Sequence, residues 1–198
     1  MVLGVLDNRD SFTYNLVHLL EPHFSSVVVR RCDAPDALTA LHDVDALVLS
    51  PGPGLPSESG ALMDVVANHF GRTPILGVCL GMQALAEFTG GTLQHTGSPR
   101  HGIARNITWT HADELTDGLP AKMPVGWYHS WVVNAQNLAL EWRVLATDHE
   151  GHPAAMRHTE HATWAVQFHP ESVLTPHGRT LLANWAASSR RVRGGAAL

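Results

Sequence analysis

Short apolar runs alternate along the first half of the chain with stretches in which apolar residues recur at helical spacing. Val2 to Leu6 reads as a buried strand. Ser11 can then cap a helix over Phe12 to Leu20, with Phe12, Leu16, Leu19 and Leu20 on one face. The β-branched run from Ser26 to Arg31 predicts a second strand, and Asp36 to Leu41 a short helix. Ala46 to Leu49 is a third strand that ends in Ser50-Pro51-Gly52-Pro53-Gly54. A helix over Gly60 to Phe70 leads to a fourth strand, Ile75 to Val78, and a further helix runs from Leu80 to Thr89. Strands alternating with helices predict an α/β fold, with a mostly parallel sheet covered by helices on both faces.

After Gly90-Gly91 the pattern changes. Short strand-like pieces follow at Ile103 to Thr110, Trp131 to Val133, Arg143 to Thr147, Ala154 to Arg157 and Trp164 to Phe168, punctuated by Gly, Pro and His. This strand-rich second half is expected to be mixed or antiparallel and to pack around the edge of the same sheet. A final helix over Gly178 to Ala187 turns Leu181, Leu182 and Trp185 inward. No linker, repeat or low-complexity stretch interrupts the chain. One domain over residues 1–198 is the economical reading, with a tail from about residue 188 expected to fray.

Composition narrows the function classes. At 198 residues the chain can bury one sizeable core. A net charge of −5 offers no broad basic footprint, so nucleic acid is not an expected partner. The two cysteines, Cys32 and Cys79, form no disulfide framework and suit a reducing cytoplasm. The apolar start lacks a basic leader and runs into Asp7, unlike a signal peptide, and no run approaches membrane-spanning length. His149/His152 and His158/His161 could suggest a metal site. They lie in polar stretches without an HExxH pattern or a cysteine cluster, so scattered surface histidine accounts for them better and no metal is expected.

Three segments carry candidate chemistry. In Gly77-Val78-Cys79-Leu80-Gly81 an apolar strand stops at a cysteine between two glycines and a helix follows. That spacing suits a nucleophile elbow with sulfur in place of oxygen, and the helix start favours the thiolate. A buried core cysteine would also fit. In Gln167-Phe168-His169-Pro170-Glu171-Ser172 a histidine sits at the expected strand tip, with Pro170 stiffening the turn and Glu171 placed to fold back on the imidazole. A turn with a solvated acid would look the same. In Pro51-Gly52-Pro53-Gly54 two glycine amides could donate to an oxyanion, with the Leu80 amide as second donor, or the segment could be a stiff surface turn. All three lie at predicted strand ends, so together they define one testable geometry of nucleophile, base, orienter and anion donors.

Taken together, Ser50-Pro51-Gly52-Pro53-Gly54, Gly77 to Leu85 and Gln167 to Ser172 resemble the three signature motifs of class I (triad) glutamine amidotransferases, in order and spacing, over nearly the whole chain. Asp7 to Leu16, Tyr128-His129-Ser130 and Pro170 to Gly178 are similar to the glutaminase subunits of anthranilate synthase and of aminodeoxychorismate synthase. The resemblance implies hydrolysis of glutamine through a thioester on Cys79, with His169 as proton carrier, Glu171 as its orienter and no cofactor. It implies glutamine contacts at Gln83 and, through backbone groups, at Ser130 and Trp131. It implies delivery of ammonia to a chorismate-binding synthase subunit near the Asp10-to-Tyr14 segment, with anthranilate as first product and aminodeoxychorismate as the alternative. A stand-alone γ-glutamyl cysteine hydrolase and a non-catalytic binding module are the competing classes. The chain departs from the usual pattern at Met82 (usually histidine), Trp131 (usually leucine), Trp127 (commonly arginine) and Arg9 (commonly aromatic or histidine), which makes the neighbourhood of the site bulkier and more apolar.

Overall fold

In β1 (Val2–Asp7), β3 (Ala46–Leu49) and β4 (Ile75–Val78) almost every residue is buried, because alternate side chains enter two different cores. Leu3, Val5, Ala46, Val48, Leu76 and Val78 pack into one core with Leu16, Leu20, Leu181 and Trp185. Leu6, Leu47, Leu49 and Ile75 pack into the other with Leu41, Leu62, Val65 and Leu85. Continuous apolar runs therefore mark strands covered on both faces, and the alternation within each run decides which layer a side chain joins. Each fully buried leucine contributes roughly 2 kcal/mol, so the four-residue strands are held by packing rather than by length.

The computed structural model of the chain describes residues 1–195. Along the chain, α1 (Thr13–Leu20), β2 (Ser26–Arg31) and α2 (Ala37–Leu41) follow β1, and α3 (Leu62–His69) follows β3. After β4 come α4 (Leu80–Phe88), β5 (Leu93–Trp109), β6 (Lys122–Val133), β7 (Trp142–Thr147), β8 (Pro153–His158), β9 (Thr163–Val166) and α5 (Gly178–Gly195). All nine strands form one sheet in the order β2-β1-β3-β4-β9-β8-β7-β5-β6. The pairings from β2 across to β9 are parallel and the remaining pairings are antiparallel. This is the α/β class read from the sequence, with the strand-rich second half continuing the sheet.

Several boundaries differ from expectation. Ser11 does not cap α1: Phe12 holds the cap position without a side-chain bond. The turn is made instead by Asp10 Oδ1, which accepts from the Phe12 amide (2.8 Å), and by Asp7 Oδ1, which accepts from the amides of Arg9 and Asp10 and from Thr13 Oγ1. A carboxylate offers about four lone-pair sites to such donors, where a hydroxyl offers two. The ninth strand ends at Val166, not Phe168. Strands β5 and β6 are far longer than the pieces read at Ile103 and Trp131, because their pairing with each other carries polar and glycine positions that local pattern does not mark as strand. The last helix runs to Gly195 instead of ending near Ala187: Ser188 and Ser189 are buried and bond back to the carbonyls of Asn184 and Trp185. The final three residues of the expected tail lie outside the described residues. His158 is buried, not a surface histidine, with its ring stacked on His161 at 4.7 Å. No helix among the described residues is long and apolar enough to cross a membrane.

Candidate active site

Cys79 sits where β4 turns into α4, with φ 53° and ψ −102°, a conformation that L-residues rarely adopt. The sequence makes this turn possible through Gly77 and Gly81. A Cβ on Gly81 would lie 2.3 Å from the Leu49 carbonyl oxygen, and one on Gly77 2.7 Å from the Gly81 backbone. The helix can therefore start directly against β3 only if both positions lack a side chain. The Cys79 amide donates to the Val166 carbonyl (2.8 Å), which fixes the turn to the end of β9.

Beyond β9 the chain leaves the parallel sheet and crosses to β6. The His169 amide donates to the Gly126 carbonyl (3.0 Å), and Thr175 Oγ1 donates to the His169 carbonyl (2.7 Å). The histidine is thus held by the antiparallel half of the sheet and not by a strand tip. Its Nδ1 lies 2.6 Å from Glu171 Oε1, and both side chains are buried. Its Nε2 is buried with no hydrogen-bond partner, as is Glu171 Oε2. Burial works against the charged ring, but Cys79 and Glu171 outweigh it and push the His169 pKa up to about 10. Tyr128 packs its ring 4.8 Å from His169 and bonds Ser172 Oγ through its hydroxyl (3.0 Å). Phe12 packs beside Tyr128, 5.6 Å from its ring and 6.2 Å from the imidazole.

The Pro51–Gly54 loop reaches the same place because Asn8 ties the ends of β1 and β3 together. Its amide donates to Ser50 Oγ and its side-chain nitrogen to the Ser50 carbonyl, each at 2.8 Å. A Cβ on Gly52 would meet the Asn8 carbonyl oxygen at 2.6 Å and Leu80 Cδ2 at 2.8 Å, so the loop lies flush against both. A cavity of about 290 Å³ brings together Gly52, Pro53, Gly54, Cys79, Gln83, Ser130 and Trp131. Of the residues singled out from sequence, Leu80 is buried and does not line this cavity, while His169 lines a neighbouring cavity of about 380 Å³ that shares Cys79. Gln83 is buried, and its amide donates to the Trp131 carbonyl (2.8 Å) and to Gln167 Oε1 (3.2 Å). The rings of Trp131 and His95 meet in a T-shape at 5.2 Å.

Two residues at the site were not singled out. Gln167 donates to Cys79 Sγ at 3.4 Å while accepting from Gln83, and so links nucleophile candidate and cavity wall. Its place in the His169 segment was the available signal. His101 lines both cavities from β5, and nothing distinguished it among fourteen histidines. His129 is buried with both ring nitrogens unpartnered, and burial, reinforced by the Arg100 charge, lowers its pKa to about 4. Asp148, Glu150 and His152 come within metal-ligand reach of one another, but both carboxylates are bonded to the Arg100 guanidinium.

A strained cysteine at a strand-to-helix turn, shared by a cavity with a glycine-rich wall and a neighbouring one lined by a carboxylate-bonded histidine, defines the class of protein. The family described as glutamine amidotransferase class-I matches residues 4–188, and the chain belongs to that family. Within it the chain is similar to component 2 subunits of two synthases. It is 41% identical over 188 residues to the pyocyanine-specific anthranilate synthase component 2 of Pseudomonas aeruginosa, covering 93% of this chain and 92% of that protein. It is 40% identical over 186 residues to aminodeoxychorismate synthase component 2 of Escherichia coli, covering 91% and 97%. The crystal structure of a putative GMP synthase subunit from Thermoplasma acidophilum shares the fold, with TM-score 0.86 at 24% identity over 98% of this chain and 96% of that one.

Proposed function

We propose that the chain is the glutaminase subunit of a chorismate-aminating synthase, with Cys79, His169 and Glu171 as its catalytic triad and residues 1–198 as one functional domain. The observation that carries the reading is the strained Cys79 turn, which lines one cavity with the glycine-rich loop and Gln83 and a neighbouring one with a histidine bonded to a buried carboxylate. The Cys79 thiolate attacks the side-chain amide carbon of glutamine, and the carbonyl electron pair moves onto oxygen, where the amides of Gly52 or Gly54 and of Leu80 receive it. The imidazolium of His169 gives its proton to the leaving nitrogen, and ammonia departs as the γ-glutamyl thioester forms. His169 then takes a proton from water, whose oxygen attacks the thioester and releases glutamate. Glu171 holds the ring orientation and stabilises its charged form, the role of the third member of a triad. Gln83, Pro53 and the backbone of Ser130 and Trp131 line the glutamine subsite. Gln83 is already bonded to the Trp131 carbonyl, so the cavity wall is organised before substrate arrives.

The ammonia passes to a chorismate-binding partner subunit in the cytoplasm, with anthranilate as the product. A second reading, aminodeoxychorismate as the product, is supported by the near-equal similarity to the Escherichia coli protein. Mixing the chain with each synthase component I of its own organism, with glutamine and chorismate, separates the two. Anthranilate in one mixture alone supports the first reading and aminodeoxychorismate alone the second. Full glutaminase activity in the isolated chain would point to a stand-alone hydrolase.

A further inference from the structure

Behind the cavity wall lies a buried ion pair that the reaction does not use. Arg100 donates from Nη1 to Asp148 Oδ2 (2.7 Å) and from Nη2 to Glu150 Oε2 (2.6 Å), and its guanidinium lies 5.9 Å from the Trp127 ring centre. Asp148 also accepts from the amides of Glu150 (2.8 Å) and His152 (2.9 Å), which fixes the turn between β7 and β8. Arg100 and Asp148 are both almost fully buried. Desolvation of two charges commonly cancels their attraction, so such a pair is better placed to specify geometry than to add stability.

The geometry it specifies is the register between β5 and β6. His95 pairs with Trp131 and Arg100 with His129, so β5 advances five residues while β6 advances two. The three extra residues bulge out of β5 opposite Ser130, which has no paired residue in this ladder. A second shift falls between His101 and Ile103, at Gly102, whose φ is 72°. Arg100 and His101 are therefore a two-residue clip between two irregularities, pairing with His129 and Tyr128. A bulge between polar strands can migrate, and a one-residue slip would send every β6 side chain to the opposite face. The clip cannot slide without withdrawing the Arg100 guanidinium from Asp148.

We propose that Arg100 is a positioning residue for the glutamine subsite: its ion pair with Asp148 locks the bulge opposite Ser130, where Thr96 Oγ1 donates to the Ser130 carbonyl (3.2 Å), and so sets Tyr128, Ser130 and Trp131 around Cys79. This rests on the glutamine-hydrolysing reading above. The test is steady-state glutamine hydrolysis by wild type, Arg100→Met, Arg100→Lys and Asp148→Asn, each in complex with the synthase partner that stimulates the wild type. Arg100→Met and Asp148→Asn should raise KM for glutamine roughly tenfold while kcat stays within roughly threefold, because Ser130 and Trp131 adjoin the bulge, whereas Cys79 stands at the end of β4 and His169 is tied to β6 at Gly126, beyond the second irregularity. Arg100→Lys, which keeps the charge but cannot grip two carboxylates in a fork, should fall between them and wild type. A purely structural role would lower the active fraction and leave KM unchanged, and that result overturns the proposal. If Arg100→Met does not fold, Arg100→Lys decides by the same criterion. A wild type that hydrolyses no glutamine overturns the underlying reading as well, whereas an active wild type with unshifted variants overturns this proposal alone.

Discussion

His169 Nδ1 and Glu171 Oε1 stand 2.6 Å apart, two residues from each other in the chain, with both side chains buried. A bond this short between buried groups fixes the ring so that Nε2, which has no partner of its own, is left for the reacting atoms. Replacing Glu171 by Gln keeps the size and removes the charge. The expected outcome is a fall in kcat of about a hundredfold or more with KM little changed, read from glutamate release. Unaltered kcat would show that the ring is oriented by something else.

Cys79→Ala removes the proposed nucleophile while leaving Gln83 bonded to the Trp131 carbonyl. Glutamine-dependent synthesis by the complex should disappear, while synthesis from added ammonium should persist, since the partner's chemistry needs only free ammonia. Glutamine hydrolysis surviving in this variant would rule out the Cys79 assignment.

With a pKa raised to about 10, His169 should remain an imidazolium across the neutral range. A raised value in the folded state means that the stabilisation of this cation is complete below about pH 6.5 and is lost as pH rises through about 10. Ring NMR signals of His169 should therefore titrate near the upper value in the wild type. In Cys79→Ala they should move towards neutrality, because one of the two stabilising groups is gone.

His129 and His69 behave in the opposite sense. Burial lowers each to about 4, helped by the Arg100 charge at His129 and the Arg72 charge at His69. Between about pH 6.5 and 4 the unfolded chain binds these protons and the folded chain does not, so stability falls as pH falls, by up to about 3 kcal/mol per histidine. Urea unfolding at stepped pH should show this acid limb. His129→Gln should flatten it, and an unchanged slope would remove His129 from the account.

Gly81→Ala tests the close approach of α4 to β3. The added methyl would lie 2.3 Å from the Leu49 carbonyl oxygen, which is backbone and cannot swing aside. A loss of roughly 2–3 kcal/mol in stability is expected, with glutaminase activity reduced because the Cys79 turn must shift. Unfolding midpoints within error of wild type would contradict the packing described.

The local pattern of residues was enough to locate the parallel half of the fold and the segments proposed to carry its chemistry. Apolar runs such as Ala46–Leu49 and Ile75–Val78 have no alternative to burial, and Gly77-Val78-Cys79-Leu80-Gly81 and His169-Pro170-Glu171 carry their constraints within a few residues. Tertiary structure alone decided the rest. The full lengths of β5 and β6 depend on their pairing with each other, so polar segments that show no strand pattern by themselves become strand. Gln167 meets Cys79 across 88 positions of sequence, His101 reaches the cavities only because of the bulge beside it, and Arg100 finds Asp148 on another hairpin. Periodicity reports what a residue does with its near neighbours. It is silent about contacts whose geometry arises only when distant strands have settled into register.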